Sequence, residues 1–549
     1  MRSKTVRRFF EGRTPPNIKH PTESAKSTVN RDVTIQAISD RSTVWDCLVI
    51  GGGATGLGTA LEAASRGYKV LLVEKHDFAK GTSSRATKLV HGGVRYLEQG
   101  DVPLVREALH ERGLLLRNAS HLAHPLQFVI PAYHYWQIPF YGAGMKLYDA
   151  LAGKLSLGKS LILSRNRTIE LLPNVETQGL KGGILYLDGQ FDDARLAVSI
   201  LRTFLDQGGL AANYVEVVAL TKDGDKVNGA VLRDAESGTE QQVRAKVVIN
   251  ATGIFSDTIR LFDDPHLAKI ITVAQGSHLV LPAKFLRSKS ALMVPKTSDG
   301  RVLFAIPWHD RLLVGTTDFG VPAPIEEPRI QPHEIQFILS EAGKYFAEDP
   351  TEADVLACYS GLRPLVKHGS GTSTAKLSRS HTVIVSPAGL VTITGGKWTT
   401  YRHMGEDCIN HAEQVAGIEH RDSKTAELPL HGNSHEAATF KAPEHLAVYG
   451  SDRPEIEKRV SQNPAFAEPL DPALPYLTAE ADWAIENEMA RTVEDILSRR
   501  TRALLLNARA ASQAAPKVAQ LLSDRLGRDK NWIQAQVQEF QTLAKNYIL

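Results

Sequence analysis

The chain has 549 residues, of which 42% are hydrophobic and 23% charged. This composition excludes a disordered chain and a collagen-like repeat, and the length predicts roughly three or four domain-sized units. The net charge is only +3 and the three cysteines are widely separated, so no nucleic-acid-binding surface, disulfide framework or metal site is expected.

Residues 1–43 are more basic than the rest of the chain, with nine Lys and Arg against four Asp and Glu. They lack the apolar stretch that a secretory signal needs. We predict a solvated basic N-terminal arm, with a mitochondrial targeting segment as the alternative. No uninterrupted apolar run of about 18 residues is present in the sequence, so no membrane-spanning helix is predicted.

The first strong motif is the pattern G-x-G-x-x-G formed by Gly51, Gly53 and Gly56. The elements around it are a strand, a helix and a second strand, predicted over residues 45–50, 54–66 and 68–74. In a dinucleotide-binding unit these glycines allow the tight turn, the approach of the pyrophosphate and close helix packing. Glu74 ends the second strand and is placed to accept hydrogen bonds from ribose hydroxyls, which disfavours a 2′-phosphate.

The segment 118–145 contains no Asp, Glu, Lys or Arg but six aromatic residues. Its three prolines exclude one long helix. It is either the interior of a second domain or an aromatic surface that lies on lipid, and the sequence leaves both open. The other predicted elements are helices over 101–117 and 192–207, a hairpin over 302–308 and 311–317, and a mostly helical region from about residue 442.

Two later strands favour a flavin as the dinucleotide. Residues 245–253 end in Ala251-Thr-Gly253, and residues 390–400 run through Gly395-Gly396 into a predicted helix. Late strands that return to the nucleotide site can cover both ends of a long cofactor. The positive end of the helix that follows residue 396 would suit the region of a flavin that becomes negative on reduction.

Five segments carry a family resemblance. They are Gly-Thr-Ser-Ser-Arg-Ala-Thr-Lys-Leu-Val-His-Gly-Gly-Val-Arg-Tyr-Leu-Glu at 81–98, Asp-Asp-Ala-Arg-Leu at 192–196, Gly-Thr-Thr-Asp at 315–318, Tyr-Ser-Gly-Leu-Arg-Pro at 359–364 and Gly-Gly-Lys-Trp-Thr-Thr-Tyr-Arg at 395–402. From about residue 46 to the C-terminal helices the chain resembles the FAD-dependent glycerol-3-phosphate dehydrogenases, and the mitochondrial type more than the shorter enterobacterial type. No loop like the EF-hand of the animal mitochondrial enzymes is found near the C-terminus, so calcium control is not expected.

The resemblance implies an α/β fold class: an FAD-binding Rossmann-like domain, an interleaved α+β substrate domain and a C-terminal helical domain. It assigns residues 44–440 to the FAD-binding domain, with substrate-domain parts at about 116–190 and 276–365, and residues 441–549 to the helical domain. It also implies oxidation of sn-glycerol 3-phosphate to dihydroxyacetone phosphate, with hydride transfer to flavin N5 and electrons passed to ubiquinone. The protein would sit on a mitochondrial inner or bacterial cytoplasmic membrane without spanning it, with a homodimer as the candidate assembly.

The phosphate of that substrate needs cationic side chains, and arginine offers a bidentate fork. Within the family motifs, Arg95 and Arg363 are the predicted ligands of the phosphate or the hydroxyl. Tyr96 and Thr316 are expected to support them.

Loss of the hydroxyl proton calls for a general base, and His91 and His278 are the candidates. If the segment from His91 to Arg95 is helical, the two side chains share a face. Lys397 is a third candidate, placed by its motif against the flavin, and Arg363 is assigned a catalytic role as well. The remaining predicted FAD contacts are Ser83, Ser84, Lys88, Ala251, Gly253, Gly395, Gly396 and Thr399.

Three other functions compete with this prediction. A related oxidase would pass electrons to dioxygen, a non-catalytic flavin-binding scaffold would have no use for the cationic residues, and an amino-acid oxidase or demethylase would bind a carboxylate and an amine. Reduction of the flavin by glycerol 3-phosphate, and reoxidation by quinone rather than dioxygen, would distinguish them.

Overall fold

A computed structural model describes residues 30–98, 100–366, 380–434 and 443–549. The strands are β1 (Val44–Ile50), β2 (Val70–Val73), β3 (Leu89–Val90), β4 (Ala123–Ala132), β5 (Leu161–Ser164), β6 (Gly182–Phe191), β7 (Leu210–Ala212), β8 (Val215–Asp223), β9 (Lys226–Asp234), β10 (Glu240–Asn250), β11 (Ile271–Pro282), β12 (Ala291–Val294), β13 (Leu303–Trp308), β14 (Arg311–Gly315), β15 (Phe319–Val321), β16 (Ala357–Val366), β17 (His381–Val385) and β18 (Val391–Gly395).

The helices are α1 (Arg31–Ser39), α2 (Ala54–Ser65), α3 (Val94–Glu98), α4 (Val102–Asn118), α5 (Gln137–Ala152), α6 (Arg165–Leu171), α7 (Asp193–Asp206), α8 (Ser256–Asp263), α9 (Pro332–Gly343), α10 (Tyr401–Ala416), α11 (Glu444–Ala447), α12 (Arg453–Gln462), α13 (Thr478–Asn487), α14 (Ala503–Leu506), α15 (Ala508–Leu526) and α16 (Lys530–Ala544). Short 3₁₀ turns cover Thr82–Ser84 and Trp398–Thr400, and a π-helical turn covers Asp495–Arg500.

The first sheet has the order β17–β18–β10–β1–β2–β7, and β8 and β9 extend it from β10. Strands β18, β10, β1, β2 and β7 are parallel to one another. The last four residues of β1 are buried, as expected for a parallel strand covered on both faces. Because these five strands are parallel, their carboxyl ends meet at one edge of the sheet, where doubly wound sheets bind nucleotides.

Helices α2 and α10 pack closely over this sheet because glycines face each other at their crossing. A Cβ atom on Gly405 would lie 2.7 Å from the carbonyl oxygen of Gly58, and one on Gly58 would lie 2.9 Å from that of Tyr401. This close approach brings the N-termini of both helices to the edge of the sheet where the parallel strands end.

The second sheet has the order β15–β11–β14–β13–β12–β4–β6–β3, with β16 paired to β11 and β5 to β6. It is antiparallel except for the pair β12–β4. The register sets Arg363 of β16 opposite Ala274 of β11, and Tyr359 opposite His278. The β11–β16 pair thus carries Arg363, His278 and Tyr359 along its length.

The C-terminal region from Glu444 onward is helical, as predicted. Its apolar side chains, among them Leu504 and Leu505, share one buried cluster with residues of the second sheet, including Tyr186 and Tyr359. The region is therefore packed onto the second sheet. None of the helices in the described part of the chain combines the length and apolar character needed to cross a bilayer.

The predicted fold class is confirmed, and most predicted elements form. Helix α4 begins after Asp101, whose Oδ1 accepts a hydrogen bond from the amide of Leu104 (3.2 Å), and Asp192 caps α7 in the same way. The uncharged segment 118–145 belongs to the interior in its first part only. Its first part forms β4 and is largely buried, whereas its second part leads into α5 and exposes aromatic rings.

The expectation of a solvated arm is wrong for its last part, while residues 1–29 lie outside the described residues. Helix α1 docks on the first sheet, where Arg31 is buried and forms an ion pair with Asp234. Ile38 on the same helix is also buried. The charge count could not reveal this, since the partner of Arg31 lies 203 residues away.

Candidate active site

The glycine-rich turn connects β1 to α2. Gly51 has φ +107°, a conformation that favours glycine, and a Cβ atom there would lie 2.7 Å from the carbonyl oxygen of Ala251. A Cβ atom on Gly56 would lie 1.8 Å from the carbonyl oxygen of Gly51. Both positions therefore exclude a side chain for steric reasons within the protein itself.

Gly53 is the N-cap residue of α2 and, as a glycine, provides no side-chain cap for the helix. A Cβ atom on Gly53 would meet only Ser83 Oγ, at 3.1 Å, within 4 Å. The positive end of α2 thus faces a space without backbone in contact, which suits a pyrophosphate. Glu74 lies beside this turn, where its Oε2 accepts a hydrogen bond from the amide of Gly52 at 2.6 Å. The residues of this cradle fit a dinucleotide.

The 3₁₀ turn Thr82–Ser84 joins the parts of the site. Ser83 Oγ accepts a hydrogen bond from the amide of Ala54 (2.9 Å), and the carbonyl of Ser83 accepts one from Trp398 Nε1 (2.9 Å). Thr82 Oγ1 donates to the carbonyl of Leu362 (2.6 Å). The turn therefore touches the glycine cradle, the segment after β18 and strand β16, and brings these three regions together.

The other predicted cofactor residues lie around the same edge. The amide of Ala251 donates to the carbonyl of Ile50 (2.9 Å), which fixes the end of β10 beside the glycine turn. Gly253, Gly395 and Gly396 all have positive φ angles, at +57°, +79° and +70°. Thr399 is buried, and its hydroxyl accepts a hydrogen bond from the amide of His91 (3.2 Å). Their contacts with FAD stay predictions.

Arg363 is the clearest candidate for binding an anion. Its guanidinium donates to Asp318 Oδ1 (3.1 Å), Thr316 Oγ1 (3.2 Å) and the carbonyl of Thr317 (3.3 Å), and its side chain keeps 30% exposure. A Cβ atom on Gly276 would lie 2.3 Å from Arg363 Nη2. Strand β11 thus leaves space for the guanidinium, and Thr316 lies against it as predicted from the motif.

Lys397 and Tyr96, two predicted substrate residues, are adjacent. The Nζ atom of Lys397 lies 3.8 Å from the centroid of the Tyr96 ring, a cation–π contact. The side chain of Arg95, the neighbour of Tyr96, lies outside the described part of the structure. The structure therefore neither supports nor contradicts the role predicted for Arg95.

His278 is buried at 2% exposure in the middle of β11. Its ring stacks on Tyr359 with centroids 4.8 Å apart, and its Nε2 lies 3.0 Å from Thr87 Oγ1. Burial, assisted by the cations Arg363 and Lys88, holds the pKa of His278 well below its ordinary value. The imidazole is therefore neutral at physiological pH.

His91 does not share a helix face with Arg95. The segment that contains it leaves β3 as an extended chain, Gly93 has φ +77°, and α3 begins only at Val94. The condition for a shared face, a helix from His91 to Arg95, is not met because Gly92-Gly93 separates His91 from the helix. The backbone of His91 is held by Thr399 instead.

The prediction for Lys88 is wrong for its side chain. The ammonium group is fully buried, pairs with both carboxylate oxygens of Asp193 (2.8 and 2.7 Å) and donates to the carbonyl of Ser84 (2.8 Å). Burial lowers the pKa of Lys88 to about 8 in spite of Asp193. The donors of this ammonium group are used by Asp193 and Ser84, so it is not available to the cofactor.

Two carboxylates near Arg363 were not assigned roles from the sequence. Asp318 closes the motif at 315–318 and pairs with the guanidinium. Glu334, in the first turn of α9, is fully buried and accepts hydrogen bonds from Ser277 Oγ (2.8 Å) and Thr317 Oγ1 (2.6 Å). It ties β11 to the segment that binds Arg363. Its position after Pro332 predicts only a helix start. In the described ranges, no group of three or more His, Cys, Asp or Glu could hold a metal.

Comparisons with known proteins agree with this architecture. The family described as FAD dependent oxidoreductase matches residues 46–402, and the family described as C-terminal domain of alpha-glycerophosphate oxidase matches residues 399–533. The chain is thus an FAD-dependent oxidoreductase, with FAD as its cofactor.

Individual relatives narrow the class further. The mitochondrial glycerol-3-phosphate dehydrogenase of Homo sapiens is 41% identical over 97% of this chain and 76% of its own length, and the probable one of Dictyostelium discoideum is 40% identical over 92% and 84%. The X-ray structure of the glycerol-3-phosphate dehydrogenase from Bacillus halodurans complexed with FAD has a TM-score of 0.77 and 30% identity, over 94% of this chain and 97% of that one. The chain belongs to the family of FAD-dependent glycerol-3-phosphate dehydrogenases.

Proposed function

We propose that the protein oxidises sn-glycerol 3-phosphate to dihydroxyacetone phosphate with bound FAD and passes the electrons to ubiquinone. The observation that carries the proposal is the position of Arg363 on strand β16, where Thr316 and Asp318 hold its guanidinium. Strand β16 adjoins the turn Thr82–Ser84, which contacts the glycine cradle. The names of the relatives support this substrate.

Arg363 binds the phosphate or the hydroxyl of the substrate in this proposal. The guanidinium is already fixed by three protein oxygens, so little side-chain entropy is lost when the anion binds. Lys397 is placed against Tyr96 and supplies a second positive charge. Arg95 is proposed as a further ligand on the basis of its motif.

Bound FAD supplies the hydride acceptor. The protein must then remove the hydroxyl proton as the hydride leaves C2, and His278 is the proposed base. The proton is accepted at Nε2, the nitrogen beside Thr87 Oγ1. Lys397 stabilises the negative charge that develops on the substrate oxygen. His91, the second candidate from the sequence, is given no proton-transfer step.

Anaerobic addition of glycerol 3-phosphate to the purified yellow protein tests the activity. The visible flavin absorbance should bleach, and a soluble ubiquinone analogue should restore it faster than dioxygen does. Bleaching with fast reoxidation by dioxygen alone would favour the oxidase. The L-alpha-Glycerophosphate Oxidase from Mycoplasma pneumoniae shares only the fold at 19% identity and a TM-score of 0.53. No bleaching would contradict the proposed substrate.

His278→Asn is expected to slow flavin reduction at saturating substrate by about 10²- to 10⁴-fold, the range lost when a general base is removed. Because the folded pKa of His278 lies well below 6.5, the base is deprotonated from alkaline pH down through the ordinary titration range. The stopped-flow reduction rate of the unmodified enzyme should therefore stay constant through pH 6.5, and any acid limb should lie well below that pH.

His411→Asn, a change at a partly exposed histidine of α10, is the matched control and should leave the rate unchanged. An unaltered reduction rate in His278→Asn would remove this residue as the base. A limb centred near pH 6.5 that vanishes in the variant would contradict the lowered pKa.

The membrane contact is proposed for an apolar patch around α5 and β5. Trp136 and Phe140 keep 59% and 55% exposure, and the centroids of their rings lie 5.9 Å apart in an edge-to-face arrangement. The apolar patch consists of Tyr135, Trp136, Phe140, Leu147, Leu161 and Ile162. The exposed lysines 146, 154 and 159 lie next to it along the chain. Aromatic rings beside basic residues suit an interface with anionic lipid. We propose that the enzyme sits there on a mitochondrial inner or bacterial cytoplasmic membrane.

The double change Trp136→Gln and Phe140→Gln is expected to weaken binding to vesicles of phosphatidylcholine and phosphatidylglycerol by about tenfold or more, because it removes two large apolar side chains from the interface. Sedimentation with vesicles measures it. Ile325→Gln, at an exposed apolar residue outside the apolar patch, is the control. Equal loss in both variants would contradict the assignment. The proposed homodimer is checked by sedimentation of the solubilised enzyme.

A further inference from the structure

We propose that the C-terminal helical domain completes the FAD site by holding the loop of residues 77–88, and that Arg499, Arg500 and Arg502 are positioning residues for cofactor binding. This loop, here termed the cofactor loop, connects β2 to β3 and contains the turn Thr82–Ser84. The inference concerns a domain to which the proposed reaction assigns no step.

The start of the cofactor loop is fixed to the C-terminal domain through Asp77. This carboxylate is fully buried and accepts a bidentate contact from Arg500, at 2.7 and 2.8 Å, together with Arg499 Nε at 2.5 Å. Burial alone would raise the pKa of Asp77, but the two guanidinium groups lower it to about 2. Asp77 is therefore ionised, and both partners come from the π-helical turn Asp495–Arg500.

The end of the cofactor loop is held by a second buried group. Arg502 Nη2 donates to Asp193 Oδ1 (2.7 Å) and lies 3.3 Å from the carbonyl of Ser84. Lys88 binds the same carboxylate and the same carbonyl oxygen. The turn next to the glycine cradle is thus held by two cations, Lys88 of the cofactor loop and Arg502 of the C-terminal domain.

A third contact lies nearer the surface. Lys80 Nζ donates to Glu494 Oε2 (2.9 Å), and Glu494 Oε1 accepts from Arg499 Nη1 (2.8 Å). Burial opposes ionisation of Glu494, yet Arg499 and Lys80 lower its pKa to about 2. The side chains of Lys80 and Glu494 keep 23% and 20% exposure, so this pair can be altered without creating a void in the interior.

The cofactor loop passes these constraints to the FAD cradle by direct contact. The amide of Ala79 donates to the carbonyl of Gly52 (2.9 Å), and Ser83 Oγ accepts from the amide of Ala54. A Cβ atom on Gly52 would lie 2.7 Å from the ring of Phe78. Displacement of the loop would therefore alter the turn that faces the pyrophosphate.

Packing alone is the competing explanation for the arginines. A buried ion pair contributes little net stability compared with apolar packing of the same volume, whereas its geometry fixes orientation. Three guanidinium groups directed at one loop are thus expected to affect the position of that loop more than the stability of the fold. FAD affinity separates the two explanations, because a packing role would lower the melting temperature and leave the affinity intact.

The test is a double-mutant cycle with Lys80→Gln and Glu494→Gln in the full chain, each read by FAD titration of the apoprotein and by its melting temperature. Each single variant should raise the FAD dissociation constant by about three- to fivefold. The double variant should weaken binding by less than the product of the two, since both singles remove the contact between Lys80 and Glu494. Glu494→Gln also removes the charge that pairs with Arg499, so it should have the larger effect of the two singles. Lys517→Gln and Glu468→Gln, a pair within the C-terminal domain at 2.9 Å, form the control cycle and should not change FAD affinity.

Arg500→Lys gives a larger effect by replacing the bidentate fork with a single charge, and FAD affinity should fall by about tenfold or more. The folded state of this variant is confirmed from its circular dichroism before titration. If the Lys80 and Glu494 variants bind FAD as tightly as the control cycle, or their effects multiply fully, the proposal is overturned. Lowered melting temperature with unchanged FAD affinity would overturn it as well.

Discussion

Gly53→Val is expected to give a folded protein that contains no FAD. The new side chain would meet only Ser83 Oγ within 4 Å of its Cβ atom, and Gly53 is not among the residues of positive φ. The protein itself therefore accepts the substitution. The methyl groups would instead extend into the space before the first turn of α2, where the pyrophosphate must approach the backbone.

The absorbance of the purified protein measures this outcome, with circular dichroism as the check of folding. Gly144→Val in α5, where an added Cβ atom has no neighbour within 4 Å, is the control and should keep a full complement of flavin. By contrast, alanine at Gly56 would place its Cβ atom 1.8 Å from a carbonyl oxygen and is expected to disrupt the fold. FAD retained by Gly53→Val at normal affinity would contradict the location of the pyrophosphate.

The difference between Gly53 and Gly56 shows which parts of the site can be predicted from the sequence. The strand, the turn and the helix start lie within residues 44–65, and their geometry follows from local sterics and hydrogen bonds. The pattern G-x-G-x-x-G therefore predicted the cradle, its order along the chain and the side chains that must be absent. Glu74 was placed by the same local spacing, at the end of the neighbouring strand.

Contacts over long sequence separations were not predictable in this way. Lys88 lies in a motif beside the cofactor turn, but its carboxylate partner, Asp193, is 105 residues away and is shared with Arg502, 309 residues beyond it. No periodicity encodes such a pairing, so the burial of Lys88 was missed. His91 shows the related limit of a local argument, since two glycines broke the helix on which its alignment with Arg95 depended.

The sequence prediction for segment 118–145 was limited in a different way, because the interior interpretation holds for its first part only, while lipid contact of its second part stays a proposal. Its composition is uniform, but Pro125 and Pro131 lie in the strand β4 and Pro139 in the first turn of α5. Phe128 is buried and Phe140 is exposed. Composition averages over a segment, whereas burial is decided residue by residue by which sheet or helix face the backbone presents.

Arg363→Ala is expected to lower kcat/KM for glycerol 3-phosphate by about 2 kcal/mol or more, about 30-fold, through the loss of charge-assisted hydrogen bonds to the substrate. The structure indicates a further contribution. Asp318 lies 3.1 Å from the guanidinium, and after the substitution its carboxylate would face the anionic substrate without that cation. Repulsion between like charges would then add to the lost attraction.

Two companion variants separate these effects. Asp318→Asn on the Arg363→Ala background should recover part of the lost kcat/KM, because it removes the repelling charge without restoring the fork. Gly276→Ala should raise KM with little change in melting temperature, since its Cβ atom would displace the flexible end of Arg363 from a distance of 2.3 Å. FAD content should stay complete in all three, because none contacts the glycine cradle. Steady-state kinetics with a quinone analogue measures the effects, and a normal kcat/KM in Arg363→Ala would place the phosphate elsewhere, since a cation in direct contact with the substrate cannot be removed at no cost.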